Sequence, residues 1–190
     1  MKKLKRNNSW IMFMILFLLT GNGMISQKID TLHYKFGKAD FVFRGQRMLI
    51  KRQFVKEKAF KLVQNIARVL TFHLPLINNR RLNEAAWEHS VDQAIYGKIG
   101  HWNFGERSEK WLFFGENCIS GYPSAVADYV LWFKSEGHRK NMFSYSFFSE
   151  GISFVKIKTY EQDFNYSENS TSSVSLAENQ LNYYGTQVFK

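Results

Sequence analysis

Apolar residues return at helical spacing from Phe54 onward. Phe54, Leu62, Ile66 and Val69, in phase with Lys58, form one stripe, widened by Val55, Ala59, Val63 and Leu70. The spacing predicts a helix over 54–71, stopped before His73-Leu74-Pro75. A second helical pattern covers 82–98. Leu82, Ala85, Ala86, His89 and Gln93 share one face, and Trp87, Val91, Ala94 and Ile95 share the next. That is the profile of a helix buried between layers. Asn78 or Asn79 can cap its start, and Gly97 and Gly100 bracket its end. A third pattern, Val126, Ala127, Val130, Leu131 and Phe133, predicts a helix over 124–136. Ser124 serves as its N-cap and Gly137 as its terminator. Between the second and third helices, HWNFGERSEKWLF from His101 reads as a loop leading into Gly115-Glu116-Asn117.

Beyond residue 150 the period becomes two. Ile152, Phe154, Val155 and Ile157 stand against Ser153, Lys156 and Lys158, and the closing NYYGTQVFK is a second strand. The Ser- and Asn-rich stretch joining them, 161–182, has little to bury and reads as a flexible hairpin connection. The order of helices and strands predicts an α+β domain over 54–190, a small antiparallel sheet covered by helices. Residues 27–53 contain short strand-like pieces such as ADFVF (39–43) and read as an N-terminal extension packed on that domain.

The first 26 residues belong to neither. Lys2, Lys3, Lys5 and Arg6 precede the apolar run WIMFMILFLLT and the small residues of GNGMIS, the pattern of a secretory signal peptide. The run is shorter than the roughly 20 residues of a membrane span. The expectation is therefore an exported protein, secreted or periplasmic, with no permanent span after cleavage. The whole chain carries +10, from 26 basic and 16 acidic residues. Without the four cations of the leader the balance is 22 against 16, a formal +6. Such a charge favours anionic surfaces, but scattered cations with no reader motif argue against nucleic acid. The single cysteine, Cys118, has no partner for an internal disulfide.

Three polar groups each follow a glycine: His101 after Gly100, Glu116 after Gly115 and His138 after Gly137. Both histidines are expected just past helix C-termini. If the helix ends meet, two imidazoles and a carboxylate share one pocket, which suits a divalent metal such as zinc or acid–base work. A histidine at a helix end also serves simply to bond the last carbonyls. Arg139 and Asn141 read as structural donors to loop carbonyls or to Glu136 or Glu116. His73 and His89 read as surface residues.

These residues also carry a family resemblance. Gly115-Glu116-Asn117, followed by WFKSEGHRKNM over 132–142, is similar to the bacterial branch of the CAP superfamily, or SCP domain. That superfamily includes cysteine-rich secretory proteins, venom allergens and pathogenesis-related proteins. Asn65 and Arg68 resemble its first helix, Leu82–Ala86 with His89-Ser90 its second, and Gly151 with YGTQVF over 184–189 its closing strands. The resemblance implies an α–β–α sandwich with a cleft lined by two histidines and two acids that binds zinc or other divalent ions in some members. His101, Glu116 and His138 match three of those positions. Ser135 stands at the fourth, where a carboxylate is missing, and Glu136 is turned about 100° from it on a helix.

The expectation that follows is an exported binding module whose His/Glu cleft takes a divalent metal, with His101 and His138 as ligands, or a small molecule, a lipid or a cell-surface component. Trp102, Phe104, Trp111, Phe113 and Phe114 are either a wall for such a ligand or ordinary core. The alternative is a metal-dependent hydrolase with Glu116 as base. Cys118 or Ser135 as nucleophile is a weaker reading.

Overall fold

The computed structural model of the chain describes residues 29–43, 46–160 and 182–190. The expected leader (1–26) and most of the expected insertion (161–182) lie outside them. The elements are β1 (Ile29–Lys35), β2 (Lys38–Phe43), β3 (Gln46–Arg52), α1 (Phe54–Leu70), β4 (Ile77–Asn78), α2 (Arg80–Tyr96), α3 (Phe104–Trp111), β5 (Gly115–Gly121), α4 (Ala125–Lys134), α5 (Glu136–Met142), β6 (Ser149–Tyr160) and β7 (Asn182–Phe189).

One seven-stranded sheet runs β1-β2-β3-β6-β7-β5, with β4 added parallel to the start of β6; every other pair is antiparallel. β1, β2 and β3 pair in sequence and extend the sheet through the β3–β6 pairing. The outer half of β6 is apolar on both sides because both of its faces are covered. Val155 and Ile157 pack with Trp87, Val91 and Ala94 of α2. Ile152 and Phe154 pack with Phe60 of α1, Trp132 of α4 and Met142 of α5. The result is the α–β–α sandwich.

The caps on α2 explain its limits. The Asn79 side chain accepts from the amides of Arg81 and Leu82, and Gly97 closes the helix with a left-handed φ of 62°. Two local expectations need correction. The loop after His101 contains α3, a helix with no buried residue and so a weak hydrophobic signal. The third helix stops early: Ser135 is extended (φ −81°, ψ 121°), and a separate short helix, α5, begins at Glu136. Gly137 therefore lies inside α5 and does not terminate α4, and His138 is a helical residue.

The period of α1 is as expected, and its apolar stripe points outward: Val55 is 83% exposed and Leu70 75%. The buried residues are Lys56, Glu57, Phe60, Gln64 and Arg68. Each polar member meets a fixed partner. Lys56 pairs with Asp128 at 2.5 Å, and Glu57 receives both arms of Arg52 at 2.7 and 2.9 Å and the amide of Phe154. Gln64 bonds Glu150 and Gln187, and Arg68 donates to the carbonyls of Leu74, Met142 and Ser144. Ions with such partners are held inward at little net cost, whereas turning them out would strand Asp128 and Arg52.

Gly151 is where β6 crosses the start of α2. A Cβ there would stand 2.0 Å from the carbonyl carbon of Leu82 and 2.3 Å from the amide nitrogen of Asn83. Gly151→Ala should therefore cost at least about 3 kcal/mol or prevent folding. Gly137 has open space and no positive φ, so Gly137→Ala should stabilise by roughly 0.5–1 kcal/mol as a helix-interior change. Urea unfolding of both variants checks the pair. A destabilised Gly137→Ala would restore this glycine as a helix terminator.

Candidate functional site

β5 is an end strand of the sheet, and its alternation sorts the site. Glu116 and Cys118 point to one face and Asn117 to the other. On the Glu116 side lie α2, α3 and the turn between them. The Glu116 side chain has no solvent exposure. A bare carboxylate there would be costly, and two groups remove the cost. Arg107 of α3 grips it with both arms, Nη2 to Oε1 at 2.9 Å and Nη1 to Oε2. His101 Nδ1 lies 2.9 Å from Oε1. Burial alone would push this carboxyl up. The bonds from Arg107 and His101 outweigh it and hold it at about 2.

An ionised carboxylate can only accept, so His101 donates its Nδ1–H to Glu116. That fixes the tautomer and leaves the Nε2 lone pair bare on a ring that is 53% exposed. His101 thus sits in a carboxylate–histidine pair on a half-exposed ring.

His89, expected at the surface, is fully buried. Its Nε2–H donates to the Gly100 carbonyl at 2.8 Å, and Trp102 packs edge-on at 5.1 Å. Burial lowers its pKa to about 4, so the 3.8 Å approach of its Nε2 to Glu116 is not an ion pair near neutrality. The ring instead supports the turn that presents His101. Cys118 is buried too, and burial first, then Glu116, pushes its thiol up. His89, Glu116 and Cys118 are the group of three whose ligand atoms lie within 4.8 Å of one another among the described residues. Most of their ligand atoms are already engaged: His89 Nε2–H donates to a carbonyl, burial favours the protonated thiol and both carboxylate oxygens are bonded, while His89 Nδ1 is buried without a partner.

His138 comes from the other face of β5. Asn117 donates to its backbone carbonyl at 3.2 Å, and Asn141 ties α5 to the strand through the Glu116 carbonyl (3.2 Å) and Asn117 Oδ1 (2.9 Å). His138 is half-buried, and its Nδ1 is buried without a hydrogen-bond partner. Burial lowers its pKa, and so does the neighbouring charge of His101. The two imidazoles are thus electrostatic neighbours reached from opposite faces of one edge strand. Arg139 Nη1 closes the end of α4 on the Phe133 carbonyl at 2.8 Å. Ser135 makes no capping bond, and Glu136 is exposed and paired with Lys140. Among the described residues, no second carboxylate joins the pair.

Arg107 is the residue that sequence reasoning missed. Its one signal is indirect: a glutamate expected in a pocket requires a cation, and Arg107 lies nine residues earlier. Because the Glu116 pKa is depressed, its ionised form stabilises the fold above about pH 4.5, and that contribution fades as pH falls towards 2. Arg107→Met leaves the carboxylate buried and half-paired, at a cost of about 3 kcal/mol at pH 7. The gap between wild type and variant should narrow as pH falls from 4.5 to 2 in urea melts. A constant gap would show that the clamp does not govern the ionisation.

The fold is similar to that of solved structures of bacterial proteins. An outer surface protein from Borrelia burgdorferi shares 15% identity at a TM-score of 0.52, covering 71% of this chain and 92% of its own. An extracellular protein containing an SCP domain from Bacillus anthracis shares 13% at 0.52, covering 87% and 68%. A cysteine-rich secretory protein from Staphylococcus aureus shares 9% at 0.50, covering 92% and 69%. No family model matches the sequence, and no curated protein is similar to it. Among the described residues, no helix is long and apolar enough to cross a membrane. At these identities the likeness is one of architecture: the chain has the fold of bacterial SCP/CAP-domain proteins.

Proposed function

We propose that the chain is an exported SCP-fold binding module whose cleft beside β5 takes a divalent metal ion, zinc first, on the imidazoles of His101 and His138. The observation that carries this reading is the Glu116–His101 bond. A carboxylate that orients a histidine through Nδ1 leaves Nε2 as a ready ligand, the usual second-shell arrangement at metal sites. The unpartnered Nδ1 of His138 is a second sign that this region lacks a partner. When bound, such an ion supplies Lewis acidity and a docking point for an anionic or carbonyl ligand.

Binding is favoured over hydrolysis by the state of Glu116. A general base works best with a pKa near the operating pH, and this one is held at about 2 with both oxygens engaged. Its role is to position His101. A lipid in the same cleft is less favoured, since the aromatics after His101 are largely used internally. Phe113 is buried, Phe104 packs on it, and Trp102 covers His89; Phe114 is exposed.

Calorimetric titration of the purified chain with zinc should show one ion per chain. His101→Ala and His138→Ala should each weaken it at least about tenfold. Glu116→Gln should weaken it by about 10- to 100-fold with both imidazoles still present. Circular dichroism confirms folding of each variant. Absence of zinc binding in the wild type, or unchanged binding in the double histidine variant, overturns the proposal.

A further inference from the structure

The outward face of α1 has no explanation within the fold. Leu62, Ile66, Val69 and Leu70 form successive steps of one helical stripe, between 52% and 75% exposed. The stripe runs into Phe72, 93% exposed, and Leu74, 70% exposed. Phe72 also has a left-handed backbone (φ 61°), a conformation that costs a bulky residue energy and is retained where something else requires it. The tip beside it is braced: His73 stacks on Tyr145 at 4.1 Å and meets Phe143 edge-on.

Charge decides what such a face fits. The one acid of α1, Glu57, is buried on Arg52, and the one acid of α4, the helix packed beside it, is Asp128, buried on Lys56. Lys58 on α1 and Lys134 on α4 are exposed. On the adjoining α5, the exposed Glu136 pairs with Lys140. The face of α1 and α4 is thus apolar and basic, with its acids turned inward. A second copy packed by this same face would bring lysine against lysine, since neither α1 nor α4 offers an exposed acid. An anionic lipid headgroup layer supplies the missing charge, and the acyl boundary below it takes the apolar stripe.

We infer that α1 is an interfacial membrane-docking helix: it lies in the plane of an anionic bilayer, with Leu70, Phe72 and Leu74 entering the acyl boundary. This site is separate from the His101 cleft, and neither depends on the other.

The test uses the full chain with Ile66→Cys carrying an environment-sensitive fluorophore, the native Cys118 being buried. Vesicles containing phosphatidylglycerol should shift the emission to the blue, and phosphatidylcholine vesicles should not. In flotation assays, Phe72→Asn should weaken binding to phosphatidylglycerol vesicles about tenfold, the loss expected for one large apolar side chain. Its melting temperature should stay equal or rise, because asparagine tolerates the left-handed backbone. Lys58→Glu should weaken the same binding. Emission already blue without vesicles would mean that a second copy or the chain's own N-terminal residues cover the face, and overturns the inference. So does equal binding to both lipids, or vesicle binding that Phe72→Asn and Lys58→Glu leave unchanged.

Discussion

A carboxylate without solvent contact must be answered by fixed charge and hydrogen bonds, and the arrangement around Glu116 is that answer. The strand β5 carries Glu116 on the face turned to α2 and α3. α3 contributes little to the core, yet it supplies Arg107, the guanidinium that keeps the carboxylate ionised. The turn after α2 supplies His101, and the buried His89 holds that turn through the Gly100 carbonyl. Thus β5, α3 and the turn after α2 are tied at one charge. The tautomer of His101, and with it the chemistry offered to a ligand, follows from that tie.

A similar logic operates on the opposite layer, with the opposite outcome for the surface. Lys56, Glu57, Gln64 and Arg68 turn α1 inward because Asp128, Arg52, Glu150, Gln187 and open carbonyls wait there. The burial of polar residues on one side of a helix forces its apolar residues to the other. The fold therefore presents two unlike surfaces: a polar, histidine-bearing edge at β5 and an apolar, basic plate along α1.

Much of the architecture was legible from period alone. The near-continuous apolar and small residues around α2 marked a helix between layers, and the alternation over 151–160 marked the strand that both layers cover. What period does not contain is direction. Period locates the stripe of α1 but not its direction, which follows from buried polar contacts, several of them with partners 70 or more residues along the chain, as Lys56 with Asp128 and Gln64 with Glu150. Gly137 after an apolar run resembled a terminator, but the break came two residues earlier, at an extended serine that no local rule singles out. His89 reads as a surface residue by type, whereas Leu82, Ala85 and Ala86 on its own face signal the burial that the structure shows. His101 and Glu116, two of the three residues whose glycine-flanked positions suggest one pocket, are hydrogen-bonded. Arg107 was not legible in this way, because a short exposed helix has almost no hydrophobic signature.

The central claim is that Glu116 fixes the tautomer of His101, and long-range proton–nitrogen correlation spectra of the neutral rings, recorded at pH 8, read it directly. The account predicts that His101 carries its proton on Nδ1, with Nε2 showing the shift of a bare nitrogen, and that Glu116→Gln disturbs this pattern. A His101 ring protonated on Nε2, or one exchanging evenly between tautomers in the wild type, would contradict it.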